Sequence, residues 1–230
     1  MGERPYVLLS CAMSVDGYID DGAPERLLLS NEEDFDRVDA VRAGCDAILV
    51  GAATVRRDDP RLLVRSPERR RERLARGLPP NPVKVTLSAT GNLDPASRFF
   101  TAGEAEKIVY AASPTVGKLA AVLEGISSVV DAGDPLDLGR VLADLAGRGV
   151  RRLMVEGGGS VHTEFLRRDL ADELQLVVAP FFVGDPAAPR FVHDGLLPYD
   201  SRRRMELAEV RRIGDVVLLR YLLPREHPPS

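Results

Sequence analysis

Short runs of apolar, often β-branched residues recur along the chain with amphipathic stretches between them, the alternation expected of a sheet covered by helices on both faces. Strands are predicted over residues 7–11, 47–50, 83–87, 107–111, 128–130 and 152–156. The unbroken apolar character of Ala47-Ile48-Leu49-Val50 is that of an interior parallel strand, and the three strands after it are read the same way. Ser30 followed by Glu33 forms an S-x-x-E capping box, and Phe35, Val38 and Val41 recur at helical spacing, which predicts a helix over 31–43 with Ser30 as its N-cap. Further helices are predicted over 115–123 and 138–148. Residues 65–78, with Pro79, Pro80 and Pro82 after them, are too charged to enter a core and read as a short solvated helix or loop.

Towards the carboxyl terminus the pattern changes. Residues 174–179 are apolar, and 205–212 and 216–223 flank Ile213-Gly214-Asp215 as the arms of a hairpin, so antiparallel strands are expected to close one edge of the sheet. Nothing separates two cores, so a single domain over 1–230 is expected, with frayed tails at 1–4 and 224–230.

Composition narrows the function. With 230 residues and 44% hydrophobic content there is ample material for a full core. A net charge of −4 gives no general attraction to nucleic acid or anionic membrane. No basic-then-apolar leader and no span of about 18 apolar residues is present, so a cytoplasmic protein is expected. Cys11 and Cys45 lie in or beside apolar runs without C-x-x-C spacing and read as buried, reduced thiols rather than metal ligands.

Three segments at strand ends carry candidate chemistry. The first is Glu156-Gly157-Gly158-Gly159-Ser160, where a strand, a glycine turn and a helix follow in order. Glycines let the backbone approach a phosphate, and the N–H groups of a helix start favour negative charge. The spacing is not G-x-G-x-x-G, so an anion site and an ordinary tight turn both remain open. The second is Gly51 to Leu62: Thr54 and Asp58, four apart, would share one side of a helical turn, while Asp58 or Asp59 could instead cap it or pair with Arg56, Arg57 or Arg61. The third is Met13-Ser14-Val15-Asp16-Gly17-Tyr18, a strand end running into an Asp-Gly turn. His162-Thr163-Glu164 matches H-x-E, but without a following P-C-x-x-C it is no deaminase site. Ser160 lacks the second glycine of G-x-S-x-G.

Met13 to Gly17, then Ala47 to Gly51 with Thr54 and Asp58-Asp59-Pro60, then Glu156-Gly157-Gly158, and finally Ala179-Pro180 with Gly184, together resemble one family in one order: the reductase domain of bifunctional riboflavin biosynthesis proteins and its stand-alone relatives. The resemblance runs from Tyr6 to about Leu222. It implies an α/β, dihydrofolate-reductase-like, three-layer fold, with a mixed, mostly parallel sheet, helices on both faces and an antiparallel C-terminal hairpin. It also implies a homodimer and the NADPH-dependent reduction of 5-amino-6-(5-phosphoribosylamino)uracil to its ribitylamino product. By the same resemblance Thr54, Asp58, Ser88 and the run Gly158, Gly159, Ser160, Val161 to Glu164 contact the cofactor, with Leu28 and Ser30 beside the nicotinamide. Arg42, Leu62, Arg65 and Glu156 contact the substrate. The two arginines suit a ribose phosphate, which a guanidinium binds in bidentate fashion.

Asp58 and Glu156 are the candidates for orienting the substrate or relaying a proton. No metal is implied. One departure stands out: where the family usually has Asp-Gly-Lys this chain has Asp16-Gly17-Tyr18, so a cation near the substrate is absent or supplied elsewhere. The departure keeps open a reductase of another pteridine, pyrimidine or antibiotic precursor on the same fold, and a non-catalytic nucleotide-binding module is the reading from another class. The deaminase domain that often precedes this one is missing, so deamination is expected of a separate protein.

Overall fold

A computed structural model describes residues 4–23, 25 and 27–224. In chain order the elements are β1 (Tyr6–Ser14), α1 (Glu32–Ala43), β2 (Ala47–Gly51), α2 (Ala52–Asp58), α3 (Pro67–Ala75), β3 (Val83–Ser88), α4 (Arg98–Thr101), β4 (Lys107–Ala111), α5 (Val116–Val122), β5 (Ser128–Asp131), α6 (Leu138–Gly147), β6 (Arg152–Gly157), α7 (Gly159–Arg167), β7 (Glu173–Ala179), β8 (Glu206–Ile213) and β9 (Val216–Leu222). The chain divides into two compact units: Val38–Met154 with the first five residues, and Tyr6–Arg37 with Val155–Ser230.

In the first unit β2, β3, β4 and β5 pair in parallel, in that order. All five residues of β2 are buried, as its unbroken apolar run requires. The expectation of interior strands fails for β5. It lies at the edge of the sheet with Ser128 and Asp131 exposed, and the four residues Ser-Val-Val-Asp carry too little pattern to distinguish an edge from an interior. Helix α6 buries Leu138, Val141, Leu142 and Leu145, an i, i+3, i+4, i+7 stripe, and starts at Asp137, whose carboxylate accepts from the Gly139 N–H at 2.7 Å.

The charged stretch after residue 65 corrects the sequence reading. It forms α3, with Ser66 as N-cap and Pro67 in the first turn, but it is not wholly solvated, because Arg73 is buried. The guanidinium donates to the carbonyls of Ala43, Cys45 and Pro79 at 2.7–2.8 Å. Two of these acceptors lie at the end of α1, where helix carbonyls have no intrahelical partner. A charge count cannot reveal an arginine that serves as another helix's cap.

In the second unit β1 pairs in parallel with β7, β7 pairs antiparallel with β9, and β9 pairs antiparallel with β8, which places the expected hairpin at the sheet edge. The predicted cap of α1 moves by one residue. Asn31, not Ser30, accepts from the third helical N–H, that of Asp34, at 3.0 Å. The Ser30 hydroxyl instead donates to the Asp34 carboxylate at 2.6 Å. Asn31 has an amide as well as a carbonyl, and the amide donates to the Ile213 carbonyl at 2.9 Å and to Asp215 at 2.7 Å, so one side chain both caps a helix and holds a hairpin tip.

Cys45 is buried, Cys11 is partly so, and neither is in a disulfide. The expected frayed tails fall mostly on 1–3 and 225–230, outside the described residues, while the carbonyl of Pro224 accepts from Arg203 at 2.7 Å. Among the described residues no helix is long and apolar enough to cross a membrane.

Candidate active site

Within the first unit, the carboxyl ends of β2 and β3 lie side by side, since Gly51 pairs with Leu87. This brings α2, with Thr54 and Asp58, to the same sheet end as Ser88, where open α/β sheets place ligand contacts. Thr54 and Asp58 are half-buried on α2, and Ser88 is buried with its hydroxyl accepting the Gly91 N–H at 3.2 Å. Asp59 is removed from the candidates for local pairing: its carboxylate holds the backbone N–H and guanidinium of Arg98, far along the chain.

Beyond Asp59 the chain runs through Leu62 to Arg65 without regular structure, and side chains satisfy its backbone. Arg42 donates to the Leu63 carbonyl at 3.4 Å, Asn81 accepts from Val64 N–H at 2.9 Å, and Asp39 accepts from the N–H groups of Arg65 and, at 3.1 Å, Ser66. Asp39 is buried and also binds Arg69 at 3.0 Å. Leu62 is buried in a left-handed conformation, φ 48°, and Asp59 is at φ 40°. A buried leucine in that region costs about 1–2 kcal/mol and marks a place where the surroundings over-determine the backbone. Three of the predicted substrate contacts, Arg42, Leu62 and Arg65, are thus joined in one construction. Sequence reasoning missed the residues that hold it, Asp39 and Asn81.

Within the second unit, Glu156 is the penultimate residue of β6 and α7 begins at Gly159. Gly158 is the N-cap, at φ 87° and ψ 123°, and supplies no side-chain cap. The first N–H groups of α7, those of Gly159 and Ser160, have no intrahelical acceptor and no side-chain cap. With Val161 they form the turn that the glycine pattern predicted. A strap of residues 189–193 lies on this turn: a Cβ on Gly159 would sit 2.2 Å from the Arg190 carbonyl oxygen and 2.9 Å from His193 Nε2. The His193 N–H donates to Thr163 Oγ1 at 2.9 Å, and the Phe191 ring lies 5.3 Å from that of His162. His162 is buried, neither ring nitrogen has a partner, and burial lowers its pKa to about 4. Leu28 is 67% exposed, and Ser30 spends its hydroxyl on Asp34 rather than on the glycine turn.

The Asp16 turn is tied to the segment after β7. Asp16 accepts from the Ser14 hydroxyl at 2.5 Å and from the N–H groups of Val183 and Gly184 at 3.2 and 2.8 Å. Desolvation opposes these bonds, but they prevail and hold the carboxyl below its ordinary range. The motifs Asp16-Gly17 and Ala179-Pro180 with Gly184 are therefore two sides of one clamp. Tyr18, where a lysine was expected, is buried and lies under the guanidinium of Arg190.

The model of the RibD C-terminal domain matches residues 5–219. The 2,5-diamino-6-ribosylamino-4(3H)-pyrimidinone 5′-phosphate reductase of Archaeoglobus fulgidus is 35% identical to the chain over 213 residues, 92% of this chain and 95% of that one. The protein of the same name from Methanothermobacter thermautotrophicus is 34% identical over 222 residues, 95% of this chain and 98% of that one. Among solved structures, a pyrimidine reductase-like protein from Corynebacterium diphtheriae matches with a TM-score of 0.81 at 22% identity, across 96% of this chain and 93% of that one. The expected α/β, dihydrofolate-reductase-like fold, mostly parallel with antiparallel strands at its carboxyl-terminal end, is the one observed.

Proposed function

The chain belongs to the RibD C-terminal domain family, and on that premise we propose that it is the NADPH-dependent reductase of a phosphorylated ribosylamino-pyrimidine in riboflavin biosynthesis. The observation that carries this reading is the likeness, over nearly the whole of both chains, to reductases named for such a substrate. Those names specify the 2,5-diamino-pyrimidinone. It and 5-amino-6-(5-phosphoribosylamino)uracil share the reacting ribosylamine and the 5′-phosphate and differ in the group at C2 of the base. The diamino compound is the first substrate to assay and the uracil the second.

A reductase of this family implies a nicotinamide cofactor, and the glycine turn fits one: a glycine N-cap with uncapped N–H groups beyond it suits a diphosphate. Gly158, Gly159, Ser160 and Val161 would hold that group; the family resemblance also names Thr54, Asp58 and Ser88, and Leu28 and Ser30, as cofactor contacts. When bound, the reduced nicotinamide supplies a hydride. Arg42 and Arg65 hold the substrate's 5′-phosphate, Arg65 through a backbone fixed by Asp39. Opening of the sugar gives an imine; its carbon accepts the hydride and its nitrogen a proton, which leaves the ribitylamine. Either Asp58 or Glu156 is the candidate for orienting the substrate or relaying that proton.

The exposed Leu207, Val210 and Val217 of the β8–β9 hairpin are apolar material for contact with a second copy, so the working form is a cytoplasmic homodimer. Sedimentation at micromolar concentration tests the dimer. Turnover is tested by following NADPH oxidation with each pyrimidine and identifying the ribityl product. Absence of oxidation with both compounds, or full turnover by D58N and E156Q alike, overturns the respective assignment.

A further inference from the structure

The turn that lacks the family's usual lysine is not without a cation. An antiparallel bridge joins Tyr18 to Arg190, flanked by bonds from Ile19 N–H to the Pro189 carbonyl at 2.9 Å and from Phe191 N–H to the Gly17 carbonyl at 3.1 Å. On this frame the Arg190 guanidinium lies over the Tyr18 ring, 4.4 Å from its centroid, with Nη2 donating to the tyrosine hydroxyl at 2.9 Å and Nη1 to the Asp16 carbonyl at 3.4 Å. The ring is 4% exposed, so it is a fixed platform, and stacking on it removes much of the freedom an arginine would otherwise lose on binding a ligand.

This cation is not neutralised. Asp16, whose backbone carbonyl accepts from Arg190, has its carboxylate occupied by Ser14, Val183 and Gly184. Among the described residues no carboxylate forms an ion pair with Arg190. Of a guanidinium's five N–H donors, two are spent on Tyr18 and Asp16, and the rest are available at the surface. The same residue's carbonyl sits against Gly159, the first residue of α7. Arg190 therefore links the Asp16-Gly17 turn to the uncapped helix start, and both the guanidinium and the helix N–H groups favour an anion.

We infer that Arg190, seated on Tyr18, is a phosphate-binding residue of this reductase and stands in for the absent lysine. The inference rests on the reductase reading for the identity of the ligands. Their shared chemistry is a phosphate ester, present in the 5′-phosphate of the substrate and in the cofactor. Tyr18 is a positioning residue that acts through Arg190.

The test uses the full chain, with R190Q, R190K and Y18F compared by calorimetric titration of ribose 5-phosphate and of NADPH, without turnover, and by steady-state kinetics. The expected result for R190Q is a ten-fold or greater weakening for one ligand, seen as a raised KM at a kcat within three-fold of the original. R190K, which keeps the charge, recovers most of it, and Y18F weakens the same ligand two- to five-fold. Weakened ribose 5-phosphate with NADPH unchanged assigns the substrate's phosphate; the reverse assigns the cofactor's. The inference is overturned if both affinities in R190Q stay within two-fold of the original. If R190Q does not fold, as judged by circular dichroism, Y18F with both affinities within 1.5-fold of the original overturns it in the same way. Absence of NADPH oxidation by the unaltered chain overturns the reductase reading alone, because the titrations still report on Arg190.

Discussion

Two turns of this chain follow the same plan, a buried strand ending in a glycine and leading into a helix, yet they are built by opposite means. The turn after β6 takes its unusual backbone at a glycine, Gly158, and lies so close to the strap at Arg190 that Gly159 has no room for a Cβ. The segment after β2 turns into α2 with ordinary backbone at Gly51 and takes its positive φ only beyond that helix, at Asp59 and Leu62, where both side chains are kept. Where the backbone packs closely against a neighbouring strap, side chains are removed. Where side chains are kept, the strain of a left-handed leucine is accepted and offset by bonds from Asp39, Arg42 and Asn81 to the neighbouring backbone.

The largest test of this contrast is Gly159→Ala. The new Cβ meets a backbone carbonyl, which cannot turn aside, so the strap must shift. A loss of about 3 to 4 kcal/mol is expected in urea unfolding, with at least ten-fold weaker NADPH binding, whereas Thr54→Ala on the other turn should stay within about 1 kcal/mol. An unchanged midpoint for G159A would show that the strap is not seated.

A pH titration comes next. The folded chain keeps His162 neutral down to about pH 4, below the ordinary 6.5. The unfolded chain therefore takes up a proton that the fold refuses. This raises no difficulty above the ordinary value, and stability is lost as the pH falls from about 6.5 towards 4, by about 3 kcal/mol in all. His162→Leu should remove this dependence without harming the fold at pH 7, since no hydrogen bond is lost. Persistence of the same slope in the variant would assign it to other groups.

Asp39→Asn keeps one acceptor oxygen and loses the charge opposite Arg69, which should cost about 2 kcal/mol and raise the KM for the pyrimidine substrate while leaving NADPH binding unchanged. The smallest effect distinguishes the two turns most directly. Leu62→Gly should be about 1 kcal/mol more stable than Leu62→Ala, because glycine tolerates positive φ, whereas Gly158→Ala should lose about 1 kcal/mol. Equal stability of the two Leu62 variants would mean that the left-handed backbone there stores nothing.

How far these features could be read from sequence follows the range of the interactions. β2, β4 and the turn after β6 are set by local runs and were placed within one residue, because burial on both faces leaves no ambiguity of period. The start of α1 was misplaced by one because Ser30 and Asn31 are both good caps locally, and the hairpin tip at Ile213 decides between them. The burial of Arg73 depends on carbonyls 28 and 30 residues away, and the pairing of Arg190 with Tyr18 spans 172 residues. Neither leaves a periodic trace. The position of the glycine turn was legible, but the strap over it was not. The family resemblance supplied roles for Arg42 and Arg65 but not the buried aspartate that fixes the loop between them.

The discontinuity of the second unit has a consequence for how the chain is made. Tyr6–Arg37 is synthesised before the continuous first unit, yet β1 must wait for β7, its parallel partner in that unit. At roughly 5–20 residues per second of synthesis, that wait is on the order of ten to thirty seconds, during which the continuous first unit can be completed. An apolar leading strand is exposed for that interval, and a chaperone that recognises such segments would find its clearest opportunity there, before the last hairpin is translated.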